Sequence, residues 1–332
     1  MKLTRVGVIA NPRAGRGDAR TIAAQAIRAL EPREIFVGAG EMGADALHDF
    51  PGAIHALDWS AHTGKARTIF LAREITRHDL DALIVIGGDG TMADVARALD
   101  QPAPPILGIG VGSANVGPLV TIPSSAIQKL RAARFITRPV DGLIAGANGV
   151  DLGLGFNDVV LDFTVLATIN DQVVNVDAAQ KMNGVNIPRT PEPIATAQTR
   201  VVKQSPRGET LVARGDEIAT MIVGLPDERF YGKAIAGGVI LSSFIGDIAG
   251  CLVCNHLLVT TQLDADAVHR AEPIVSRYVG LSEPDRIQVT VVRAGVALCA
   301  DGNPLKILNE QDCVHVRARR GLATSIRIQE SS

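Results

Sequence analysis

Residues 82–99 read ALIVIGGDGTMADVARAL. An unbroken apolar run stops at Gly87-Gly88-Asp89-Gly90-Thr91, and a run with Met92, Val95, Ala96 and Leu99 on one helical face starts at once. A strand that is apolar at every position belongs to a parallel sheet covered on both faces. Ligands of such sheets sit at the carboxyl ends of the strands, where this turn lies. Glycines allow positive φ and let a ligand approach the main chain. The amides of the following helix point back at the loop, which is a phosphate site in outline. A carboxylate repels phosphate, so Asp89 makes sense there as a partner for Mg2+ or as the base that takes a proton from an attacking hydroxyl. The plainer alternative is a tight turn in which Asp89 caps the helix.

On either side of this junction, RVGVIA, EIFVG, AIHALD and ILGIG alternate with the helical patterns DARTIAAQAIRAL, ARTIFLAREITRHDL and SSAIQKLRAARF. That alternation predicts an α/β domain over residues 1–140, a three-layer nucleotide-binding domain on a parallel sheet. After residue 140 come VDLGLGF, DVVLDFTVLATI, IATMIVG, RIQVTVV, VALCA and CVHVRA, without regular helices between them. We read 141–320 as a mostly antiparallel, β-sandwich-like substrate domain. NGVNIPRTPEPIATAQT at 183–199 carries three prolines and reads as an exposed excursion, and DADAVHRAEPIVSRYVGL at 264–281 reads as a helix.

A chain of 332 residues, 46% of them hydrophobic, is long enough for two domains. Its net charge of -2 supplies no basic field for nucleic acid or for an anionic membrane, which leaves small molecules as the expected partners. The opening MKLTRVGVIANP has too short an apolar run for a signal peptide or a span. Cys251, Cys254, Cys299 and Cys313 suit a reducing, cytoplasmic setting. CLVC at 251–254 has zinc-ligand spacing, but it lacks a second pair and has only His256 nearby, so buried thiols are expected.

Two further loops belong to the same sheet edge. NPRAGRG at 11–17 follows the first strand and precedes a helix that Asp18 is placed to cap; Asn11, Pro12, Gly15 and Gly17, with two arginines, suit the oxygens of a triphosphate. GIGVGSANVGPL at 108–119 offers Gly112, Ser113 and Asn115. Two other stretches mislead. AHTGKART has Trp59 where a P-loop needs glycine and Ala66 where it needs Ser or Thr. VGAGEMGADAL places Gly38, Gly40 and Gly43 as GxGxxG after a strand, with Asp58 ending the next, yet leaves room for only a short helix before Pro51.

NPRAGRG followed by GGDGT resembles the NAD kinase and diacylglycerol kinase superfamily, over nearly the whole chain. The resemblance implies an α/β nucleotide-binding domain, a β-sandwich-like second domain, and a final strand at 321–332 that returns to the first. VGSANVGPLVTIP looks like the GTxNxxA-type loop of the superfamily. GFNDVVLD looks like the Asn-Glu segment that holds the nucleotide substrate in NAD kinases, here Asn157-Asp158. CADGNPLKI, with Asp301-Gly302, looks like the late Asp-Gly turn. In detail the elements are similar to those of NAD-kinase-like proteins from acetoin-catabolism clusters. Two departures stand out: IVGLPDERFYGKAIAGG replaces the TPTGSTAY segment of ordinary NAD kinases, and Asn303 replaces the Glu of the lipid kinases.

The implied activity is ATP-dependent phosphorylation of a hydroxyl, the 2'-hydroxyl of NAD foremost. Asp89 is then base and Mg2+ partner; Asn11, Pro12, Gly15, Gly17, Gly87, Gly88, Gly90, Thr91, Gly112, Ser113 and Asn115 hold ATP; Asn157 and Asp158 hold the acceptor. The alternatives are a non-catalytic nucleotide sensor, a lipid kinase, and a dinucleotide-binding oxidoreductase using Gly38 to Gly43. A cytoplasmic homo-oligomer that engages neither nucleic acid nor membrane is expected.

Overall fold

The computed structural model describes residues 1–329 apart from 13, 15–17, 100–101, 112–116, 170–171, 227–245 and 258–274. Two compact units emerge, one of residues 1–140 with 321–332, the other of residues 141–320.

In the first unit the elements are β1 (Arg5–Ala10), α1 (Ala19–Leu30), β2 (Glu34–Gly38), β3 (Ala53–Leu57), α2 (Gly64–Ile75), β4 (Ala82–Gly87), α3 (Asp89–Ala98), β5 (Ile106–Gly110) and β6 (Val120–Pro123). Strands run in the order β5-β4-β1-β2-β3, every pair parallel, so all their carboxyl ends share one edge. Uniform burial explains the uniformly apolar strands: β4 is buried at all six positions. On one face Ala23, Ala26 and Ile27 of α1 join Val6, Val8, Ile84 and Ile86 in a single cluster. On the other face α2 lies so close that a Cβ on Gly7 would stand 2.4 Å from Ile75, and one on Gly38 2.7 Å from Leu71. Helices on both faces of a parallel sheet make the three layers. The strand over residues 321–328 brings Ser325 opposite Ile106, parallel to β5.

Local details depart from the sequence reading. SSAIQKL forms a 3-10 helix, Ser124–Leu130, because its buried residues Ile127 and Leu130 repeat at three and not at four. Between β2 and β3 stand two 3-10 turns, Gly40–Met42 and Ala44–Leu47, so the GxGxxG loop opens no α-helix. Asp18 occupies the N-cap of α1, but its side chain makes no capping hydrogen bond.

The second unit begins within β7 (Phe135–Ala147) and continues through β8 (Val150–Gly155), β9 (Asp158–Asp162), β10 (Thr164–Ile169), β11 (Gln172–Asp177), α4 (Ala178–Met182), β12 (Ala195–Ser205), β13 (Gly208–Arg214), β14 (Thr220–Gly224), β15 (Ala249–Cys254), β16 (Ser276–Leu281), β17 (Arg286–Val292), β18 (Ala297–Ala300), β19 (Asn303–Ile307) and β20 (Cys313–Ile328). One sheet runs β16-β15-β14-β9-β18-β19, every pair antiparallel. The other includes the antiparallel run β13-β12-β17-β20. Val159, Met221, Cys251 and Leu298 of the first meet Val201, Ile287, Val289 and Val316 of the second in one core, which makes the unit a sandwich.

Residues 183–188 are exposed, whereas 195–199 already belong to β12, so the excursion is shorter than the prolines suggest. Its base is clamped: the guanidinium carbons of Arg189 and Arg293 lie 4.6 and 5.0 Å from the Phe163 ring centroid, and Glu192 bonds both arginines at 2.9 Å. Of the helix expected at 264–281, residues 264–274 fall outside the described chain, and Ser276–Leu281 is a strand. Pairing along all six positions of β15 overrides the helical spacing there. Cys251 and Cys254, three apart on β15, fall in different apolar clusters, Cys251 in the sandwich core and Cys254 beside Tyr278. Burial pushes the Cys251 thiol up to about 12. Among the described residues no helix is long and apolar enough to cross a membrane.

Candidate active site

Three strand-end loops of the first unit are stitched to one another by hydrogen bonds. After β1, the Asn11 amide N–H donates to the Ile86 carbonyl at 3.0 Å and its side-chain Nδ2 donates to Thr91 Oγ1 at 2.9 Å. After β5, the Val111 N–H donates to the Gly87 carbonyl at 3.2 Å. Further along that loop, the Gly117 N–H donates to Asp89 Oδ1 at 3.0 Å. Sequence-distant residues Asn11, Thr91, Asp89 and Gly117 are thereby held as one group at the carboxyl edge of the sheet. Pro12 sits in the turn that the Ala14 N–H closes on the Asn11 carbonyl at 3.0 Å.

Gly88, Asp89 and Gly90 are half-buried, while Thr91 is buried. The N-cap of α3 is Gly88, in an extended conformation with φ -100 and ψ -176, and Asp89 is the first helical residue. Asp89 therefore stands in the first turn, where a negative charge is favoured by the helix dipole, instead of capping it. None of Gly87, Gly88 and Gly90 has positive φ, and at Gly87 and Gly117 the missing side chain serves close approach. A Cβ on Gly87 would lie 2.5 Å from Thr91 Cβ, and one on Gly117 would lie 2.8 Å from Asp89 Oδ1. Gly15, Gly17, Gly112, Ser113 and Asn115 lie outside the described residues.

Two ion pairs near these loops escaped the sequence reading. Lys65, in the first turn of α2, meets Asp94 of α3 at 2.6 Å, and burial raises the Asp94 carboxyl against that ammonium. The buried Arg67 donates to Glu41 of the loop after β2 and lies 4.6 Å from the Trp59 ring centroid, while the Trp59 indole N–H donates to the Ala39 carbonyl at 2.6 Å. The GAGEMG loop is thus braced by α2. Partners 26 and 29 positions apart leave no periodic trace in a sequence.

In the second unit Asn157 and Asp158 are both buried, at the start of β9. Asp301 lies in the turn between β18 and β19 with φ +47, and Gly302 follows with φ +71. The Asp301 carboxylate accepts the backbone N–H groups of Phe156 at 2.7 Å, Asn157 at 2.8 Å and Asp158 at 3.1 Å. In return the Asp301 N–H donates to the Asp158 carbonyl at 3.0 Å. Residues 143 positions apart thus form one cluster. Burial, then the Asp158 carboxylate, pushes the Asp301 carboxyl up to about 8, against the three N–H donors.

The donor set bears on a metal. Among the described residues no group of three His, Cys, Asp or Glu is placed to hold one. Mg2+ often takes one or two carboxylates and completes its shell with water and substrate phosphates. Asp89 beside a helix N-terminus fits that lesser requirement.

Residues 5–142 match the family of the diacylglycerol kinase catalytic domain. An uncharacterized protein of Archaeoglobus fulgidus is 31% identical over 91% of this chain and 92% of its own. A NAD kinase of Syntrophotalea carbinolica is 33% identical over 72% of this chain and 70% of its own. The crystal structure of a putative diacylglycerol kinase from Bacillus anthracis shares the fold, with a TM-score of 0.53 at 18% identity, covering 98% of this chain and 97% of that one. These matches place the parallel-sheet domain with its GGDGT strand end, and the antiparallel sandwich that follows it, in a kinase-type phosphotransferase family. The chain belongs to the NAD kinase and diacylglycerol kinase superfamily.

Proposed function

We propose that the protein transfers the γ-phosphoryl group of ATP to the 2'-hydroxyl of NAD. The observation that carries the reading is the Asp89 carboxylate, fixed by the Gly117 N–H in the first turn of α3, within the hydrogen-bonded group that joins Asn11, Thr91 and Gly117 at the ends of β1, β4 and β5. Those loops and the α3 amides would hold the phosphates, with Asn11 and Thr91 tying two of them together. The acceptor oxygen attacks the γ-phosphorus, the bond from that phosphorus to the β,γ-bridging oxygen breaks, and ADP leaves. Asp89 takes the proton of the attacking hydroxyl. Asp89 would also be the residue to hold Mg2+, which would supply neutralisation of the charge that develops on the phosphates.

The acceptor assignment leans on Asn157 and Asp158. A buried amide beside a carboxylate suits the exocyclic amine and ribose hydroxyls of an adenosine, and it rejects analogues that leave one of the pair unpartnered. The relative from Syntrophotalea carbinolica, named as a NAD kinase, supports the same acceptor. The match to the diacylglycerol kinase catalytic domain favours a second reading, a lipid hydroxyl as acceptor. Incubation with ATP and Mg2+ against NAD, NADH and diacylglycerol, with product detected by mass, decides between them. NADP is the expected product; phosphatidic acid alone would move the assignment to lipid, and no phosphorylated product would overturn the kinase reading.

A further inference from the structure

On the outer face of the second unit a row of polar residues crosses four neighbouring strands. Glu209 of β13 is opposite Gln204 of β12, Gln204 is opposite Arg286 of β17, and Arg286 is opposite Arg317 of β20. Like charges directly opposite on adjacent strands destabilise a sheet. An amide or a carboxylate at either position would relieve that repulsion, so the arginine pair asks for an explanation outside folding.

Each arginine is held by one neighbour. Arg286 Nε donates to Gln204 Oε1 at 2.5 Å, and Arg317 Nη2 donates to Asp151 Oδ2 at 2.6 Å. Arg286 has no carboxylate partner among the described residues. Arg317 Nε is buried and has no hydrogen-bond partner among the described residues. A buried donor without a partner costs about 1–3 kcal/mol, more when charged. Both side chains line one open depression of about 560 Å³, together with Gln204, Ser205, Gly208 and Glu209. Two half-satisfied guanidinium groups converging on this depression, whose lining also includes Pro206 and Pro284, present the planar donor forks that match the oxygens of a phosphate.

We propose that Arg286 and Arg317 form a binding site for a phosphate monoester, separate from the phosphoryl-transfer loops of the first unit. Its dianion offsets the repulsion between the two guanidinium groups. Glu209, paired only loosely with Arg200 at 3.6 Å and half exposed, is available to an ammonium on the same ligand. The ligand class is therefore a phosphate monoester, reaching the site as an exposed lipid headgroup or free in solution, where an amine on the same molecule would meet Glu209.

The test is isothermal titration of the full chain with O-phosphoethanolamine, beside flotation with phosphatidylcholine vesicles with and without phosphatidic acid. Arg286→Gln and Arg317→Gln are each expected to weaken binding by about tenfold or more, the scale of losing a charged hydrogen bond. Kinase turnover and the melting temperature should be unchanged in Arg286→Gln, and Asp89→Asn should bind the monoester as well as the wild type does. Soluble binding with those losses supports a metabolite. Vesicle capture that needs phosphatidic acid and is lost in Arg286→Gln supports the headgroup. Binding equally strong in folded Arg286→Gln and Arg317→Gln proteins, or no binding to either probe, overturns the proposal.

Discussion

Asp89 in the first unit and Asp301 in the second both follow a buried strand and both adjoin glycine, yet their carboxylates meet different surroundings. Asp89 is half-buried, at the start of a ten-residue helix, and takes the N–H of Gly117, a residue that follows β5. Asp301 collects three backbone N–H groups from the segment 156–158, and its acidity is weakened by burial and by Asp158. A base in phosphoryl transfer needs access to substrate and a position fixed by few bonds. A carboxylate that ties together two chain segments needs the reverse. Under the proposed function the same dipeptide, Asp-Gly, serves chemistry in one unit, whereas in the other it forms a clasp.

That contrast can be broken at four points. Asp89→Asn keeps the size of the side chain and removes its basicity; turnover is expected to fall by about a hundredfold or more with an unchanged melting temperature. Near-normal turnover would leave Asp89 a helix-terminus residue. Asp158→Ala removes one of the two proposed acceptor groups, and KM for NAD is expected to rise by about tenfold with little change in KM for ATP. Equal losses for both substrates would detach the Asn157-Asp158 pair from the acceptor. Gly117→Ala sets a Cβ 2.8 Å from Asp89 Oδ1 and displaces the carboxylate slightly; kcat should drop several-fold while the fold persists. An unchanged kcat would mean that the Gly117 tether does not position the base.

The smallest effect concerns pH. Burial and the neighbouring Asp158 push the Asp301 carboxyl up to about 8 in the folded protein, whereas an unfolded chain releases that proton in the ordinary aspartate range near 3.8. Stability contributed by this group is therefore lost as pH rises from about 4 to about 8, and is flat outside that window. In Asp301→Asn, which resembles the protonated acid, the urea midpoint should fall less between pH 5 and pH 8 than in the wild type. An identical fall in both would show that Asp301 titrates like an ordinary carboxylate.

The parallel half of the fold was legible because burial on both faces makes its strands apolar throughout, as in β4. The antiparallel half was legible from runs of β-formers broken by turn residues, as in RIQVTVV and VALCA, which became β17 and β18. The helix expected across residues 276–281 was not, because a six-residue pairing with β15 outweighs apolar spacing that suits a helix equally well. At the candidate site the turn chemistry around Asp89 pointed to a strand-to-helix junction, and that is where α3 begins. Of the two freedoms glycine offers there, positive φ is not used, and at Gly87 the reason is steric: Thr91 occupies the space a side chain would need. Lys65 with Asp94 and Arg67 with Glu41 were invisible, since nothing in a single sequence ties a charge to a partner on another element.

The strand at 321–328 carries a consequence for how the protein is made. Ser325 pairs with Ile106, so the first unit is completed by a segment synthesised after the whole of residues 141–320. At about 5–20 residues per second, β5 leaves the ribosome roughly ten to forty seconds before that partner exists. During that interval the outer edge of β5 is unpaired at Ile106, an apolar strand edge of the kind that recruits other chains. Expression at lower temperature lengthens the wait, and a stalled ribosome within the second unit would release a nascent chain whose first unit lacks its last strand. Moving residues 321–328 ahead of β1 by circular permutation would let that unit close before the sandwich emerges.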